Sequence, residues 1–75
     1  MSGKTHSNLF AFALAYVKVI EQIERTADAE QLHRLEEERV MRHNEFADAL
    51  KAAGIHYKDR DHVTRIAFRI AKEEL

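Results

Sequence analysis

Glu36, Arg39 and His43 stand at intervals of three and four residues, a spacing that projects all three side chains from one side of a helix. The apolar stripe of that helix runs Leu32, Leu35, Arg39, His43, Phe46, Leu50 and Ala53, so Arg39 and His43 fall where apolar residues belong. A charge held against a core is costly unless it is paired. Two kinds of chemistry follow. In the plainer one, Glu36 pairs with Arg39 and His43 hydrogen-bonds beside them, giving a polar layer that sets register or assembly. Alternatively, the Arg39 stem lies on the core edge while its head reaches water. In the sharper one, Arg39 and His43 are donors in a pocket for a small anionic ligand.

Other reactive spacings are weaker. Glu30-Gln31-Leu32-His33 has the Glu-x-x-His spacing of carboxylate-bridged metal bundles, with Glu21 and Glu24 on the preceding helix. Its phase argues against a metal, because Glu30 and His33 point away from the stripe set by Leu32, Leu35 and Phe46. Cysteine is absent and the five histidines are scattered. The hydroxyls Ser2, Thr5, Ser7 and Thr26 suit helix ends, and Tyr16, Tyr57 and Thr64 have no base at a catalytic spacing. No glycine-rich phosphate loop is present. The expectation is a protein that is not an enzyme and needs no metal or cofactor.

A second constellation lies near the C-terminus. His62, Arg65, Arg69 and Lys72 share one side of a helix, with Arg60 just before them and Phe68 beside the row. Between Arg60 and Lys72 four basic residues face a single Asp. An aromatic ringed by cations suits an acidic protein surface or a nucleic-acid backbone, so Arg60, Arg65, Phe68, Arg69 and Lys72 are the candidate partner-binding residues. The stretch from Phe46 to Ile55, followed by Val63-Thr-Arg-Ile66, resembles a helix-turn-helix, with an apolar helix, a Gly-Ile turn and a second helix. That resemblance implies Thr64, Arg65 and Arg69 in a major groove, with Arg60 and Lys72 on phosphates. The chain departs from it in the connection, since Gly54 to Asp61 is longer than the usual three to four residues. A formal net charge of −1, from 12 basic and 13 acidic residues, also opposes binding nucleic acid by bulk charge. DNA binding through the third helix is therefore the second reading, behind docking on another protein.

Three helices must position these groups. Proline is absent, and Ala, Leu, Glu, Lys and Arg dominate. The first helix is expected over about 7–25, capped by Thr5 or Ser7. Asp28 with Gln31 fits a capping box for the second, over about 29–53. Gly54 and Ile55 suit a Schellman ending. Asp59 or Asp61 caps the third, over about 60–74. The short break near Thr26 predicts an antiparallel helical hairpin followed by a shorter third helix.

The first helix carries the largest demand. Residues Leu9 to Val17 read LFAFALAYV without a polar interruption in a chain of 75. Its bulky residues span roughly 220° of the helix, against about 100° needed to pack on one neighbour. It must be clasped from two sides, by the second helix and by either the third helix or another subunit. The expectation is a homodimeric helical bundle with Leu9, Phe10, Phe12, Leu14, Tyr16, Val17 and Ile20 at the interface. The run is too short for a bilayer, which needs roughly 20 apolar residues, and Tyr16-Val17-Lys18 makes a poor signal-peptide cleavage site. The expectation is a complete cytoplasmic chain of one domain. The function expected is a small interaction module (a regulator, inhibitor or adaptor), with DNA binding or small-anion sensing as alternatives.

Overall fold

Beyond Gly3 no proline or glycine interrupts the chain before Gly54, and only the Thr26-Ala27-Asp28 stretch offers a stop. A computed structural model describes the backbone of residues 2–74 and the side chains of residues 8–73. It contains α1 (Ser2–Arg25), α2 (Ala29–Ala52) and α3 (Arg60–Glu74), and no strand among the described residues. The fold is all-α.

The element ends follow local chemistry. α1 starts ahead of the position expected near Ser7, so Thr5 and Ser7 lie within it rather than capping it; their side chains lie outside the described residues. A Ser or Thr cap is a preference of only about 1 kcal/mol, and nothing upstream of Ser7 forbids further helical turns. At the other end, the Thr26 hydroxyl donates to the Gln22 carbonyl at 2.7 Å, and the Thr26 amide donates to Ile23. Asp28 is extended and its carboxylate accepts from the Glu30 amide at 3.1 Å. It thus caps α2 through Glu30, and the reciprocal Gln31 contact of a full capping box is not among the hydrogen bonds of the described residues.

α2 ends in the Schellman arrangement that Gly54 and Ile55 predict. The Ile55 amide donates to Leu50 at 2.9 Å and the Gly54 amide to Lys51 at 3.0 Å. Gly54 sits at φ +76°, a left-handed conformation that side-chain-bearing residues rarely adopt. Asp59 then caps α3, its carboxylate accepting from the His62 amide at 2.9 Å. His62 Nδ1 accepts in return from the Lys58 amide, also at 2.9 Å, so two helix-end donors are satisfied reciprocally.

Burial explains the apolar excess of α1. It packs against both α2 and α3, which touch each other far less. Leu9, Ala13, Tyr16 and Val17 of α1 meet Phe46 and Leu50 of α2 and Val63, Ala67 and Ala71 of α3 in one core. Alanine at three of these positions lets helix axes approach closely. Phe46 and Leu50 are fully buried, and each such side chain contributes roughly 1.5–3 kcal/mol. The core is lopsided. From Ile20 to Glu45 no residue is buried, although Ile20, Ile23, Leu32 and Leu35 are half-covered there.

Candidate functional site

The polar residues of α2 do not stand alone: side chains of α1 and α3 converge on them. Tyr16 is buried in the middle of α1, and its hydroxyl lies 2.9 Å from Thr64 Oγ1 on α3. Thr64 Oγ1 also donates to the Arg60 carbonyl at 3.1 Å. A threonine hydroxyl has one proton, so Tyr16 is the donor in the first bond. The Tyr16 oxygen is left with lone pairs beside Arg39. The Arg39 pKa is raised above its ordinary value, first by its hydrogen bond to Glu36, with the Glu36 charge and the Tyr16 oxygen adding to it against a smaller opposing effect of burial. Arg39 Nε to Glu36 Oε1 is 2.8 Å.

His43 completes the junction. Its ring meets Tyr16 edge-on, with centroids 5.5 Å apart and planes at 79°. Nδ1 lies 3.5 Å from Asn44 Oδ1, at the limit of a hydrogen bond. Nε2 is buried and has no hydrogen-bond partner among the described residues. Arg39, His43, Tyr16 and Thr64, together with Arg60 and Asp61 at the start of α3, line a groove of about 160 Å³. The Glu36–Arg39 pair with His43 nearby is the grouping that the helical spacing predicts. The approach of Tyr16, Thr64 and Arg60 was not foreseen. A tyrosine inside an apolar stripe was the available signal, because a buried phenol needs a partner.

The basic face of α3 is also organised. Arg60, Arg65, Arg69 and Lys72 are exposed. None joins an ion pair among the described residues, even though Asp61 and Glu73 each stand four residues from an arginine of the row. The ion pairs that do form all lie along α2: Glu36–Arg39, His33–Glu37, and Arg42 between Glu38 and Glu45. Glu45 is the main cause of the raised Arg42 pKa. His62, Arg65, Ile66 and Arg69 border a depression of about 290 Å³. Two members of the expected face have other duties. Phe68 packs partly against the core, and the Nδ1 of His62 is occupied by the Lys58 amide. The cation row is therefore Arg65, Arg69 and Lys72 with Arg60 at its start.

The residues expected at a dimer interface divide. Leu9, Tyr16 and Val17 are buried within the chain, whereas Phe10, Phe12, Leu14 and Ile20 keep partial exposure. Glu30 and His33 face solvent, as their helical phase predicts, and His33 lies 3.7 Å from Glu37. Among the described residues no three His, Asp or Glu side chains gather as a metal site would require. No helix of the described residues is long and apolar enough to cross a membrane. No family model, curated protein or solved structure matches the chain.

Proposed function

We propose that this chain is a small, non-enzymatic interaction module that docks on an acidic surface of another protein through the outer face of α3. One observation carries the reading. Arg65, Arg69 and Lys72 lie at i, i+4 and i+7, exposed and without ion pairs among the described residues, whereas Arg39 and Arg42 of α2 are paired with glutamates of their own helix. Cations left unpaired on one face raise the rate and selectivity of encounter with a complementary patch. A protein target is favoured over duplex DNA by the net charge of −1 and by the connection over residues 53–59, longer than the turn of a helix-turn-helix.

In this account the chain works as a homodimer in which α1 and α2 form an antiparallel hairpin. Support for pairing comes from apolar side chains that the chain covers only in part: Phe10, Leu14 and Ile20 on α1, and Ile23, Leu32 and Leu35 around the hairpin end that holds no buried residue. The test is paired capture from the native host with wild type and an R65E/R69E/K72E variant. Wild type should retain a protein that the variant loses. Identical captures would remove the α3 face from the reading. Tight binding of duplex DNA, weakening steeply with salt, would replace the protein target with nucleic acid.

A further inference from the structure

Docking through the outer face of α3 gives no task to the groove on its inner side. That groove brings together groups from all three helices. His43 contributes a buried Nε2 with no hydrogen-bond partner among the described residues, an arrangement that calls for a reason in a folded protein. Arg39 is held by its Nε on Glu36, which leaves its terminal N–H groups as donors in a fixed fork. Arg60 brings a second cation without an ion pair among the described residues. Tyr16 and Thr64 place two hydroxyl oxygens between them, tied to each other and to the α3 backbone.

We infer that this groove binds a small oxyanion, a phosphate or a short carboxylate, between Arg39, His43 and Arg60. Size sets the class. About 160 Å³ corresponds to roughly five water molecules, enough to take one phosphate or a short acid whole, while a nucleotide would extend out of the open side. Charge sets it too. Asp61 is the one carboxylate among the lining residues, and as a like charge it selects against a polyanion. In its Nε2–H form the neutral ring donates to the ligand oxygen, and in its Nδ1–H form Nε2 accepts from a ligand O–H; either places one hydrogen bond where the fold supplies none. The groove shares Arg60 with the start of the cation row, but Arg65, Arg69 and Lys72, the residues on which docking is tested, do not line it.

The test is an NMR titration of the intact chain with inorganic phosphate and, separately, acetate, at constant ionic strength. The signals followed are those of Tyr16, His43, Thr64, Arg65 and Arg69. Saturable shifts at Tyr16, His43 and Thr64 are expected with at least one of the two, and the tighter ligand identifies the class. Arg60→Gln alters an exposed side chain and should leave the fold intact while weakening binding about tenfold, the effect of losing one charge-assisted hydrogen bond. His43→Gln should weaken it comparably. The inference is overturned if shifts are confined to Arg65 and Arg69, or if Arg60→Gln binds as wild type does. It is equally overturned if neither probe moves the groove signals at about 10 mM, above a millimolar dissociation constant. None of these results bears on docking through α3, which the capture experiment tests separately.

Discussion

Replacing Tyr16 by Phe removes one oxygen from the centre of the molecule and nothing else. The ring is 1% exposed and packs against Phe46 and His43, so Phe fills the same space. The lost hydroxyl donates to Thr64 Oγ1, which is half-buried and keeps its own bond to the Arg60 carbonyl. Water can replace the missing donor there. The change should therefore destabilise by about 1 kcal/mol, the net worth of one hydrogen bond, and lower Tm by about 4–8 °C in a domain of this size. Thr64→Val acts on the other partner and is harsher. It leaves the buried Tyr16 hydroxyl without an acceptor, because the neighbouring Arg39 is a cation and accepts nothing. That stranded donor costs about 1–3 kcal/mol. The double variant loses both groups and should be less destabilised than the two single effects added together. Urea unfolding followed by circular dichroism measures all three. If the single effects simply add, or if Tyr16→Phe matches wild type, the hydroxyl pair between α1 and α3 is not made and the description of the junction fails.

Other consequences are simpler. Gly54→Ala introduces a methyl group that meets open space, so its whole effect is the left-handed backbone, about 1–2 kcal/mol by equilibrium unfolding; an unchanged midpoint would remove the Schellman ending as a determinant of where α2 stops. Sedimentation velocity at tens of micromolar, well above a micromolar dissociation constant, should report a dimer. A monomer there would leave the docking face standing and eliminate the pairing of hairpins.

Much of the architecture was legible because its signals are local. Asp28, Gly54, Ile55 and Asp59 mark helix ends within a few residues of chain, and each acts at the end it marks. The need for α1 to be clasped from two sides was legible in its wide apolar arc, and α3 meets part of that demand within the chain. The start of α1 was not legible, because the weak preference of a Ser or Thr cap yields to continued helix. The junction was only half visible. Glu36, Arg39 and His43 share one helix, so periodicity groups them. Tyr16 and Thr64 are 48 positions apart, and their meeting depends on how α3 lies across α1 after the seven-residue connection. His62 reads as one more cation of the α3 row, yet its nitrogen closes a helix cap, a role set by the backbone at Lys58 and Asp59.

The proposed docking face is the outer side of α3. Photo-crosslinking in the native host addresses it most directly. A photoreactive residue is placed at Arg69 in one variant and at Glu37 in another; both positions are exposed, one on the α3 row and one on α2. A discrete crosslink to another protein is expected from position 69 and none from position 37. Crosslinking from 37 with none from 69 would contradict it.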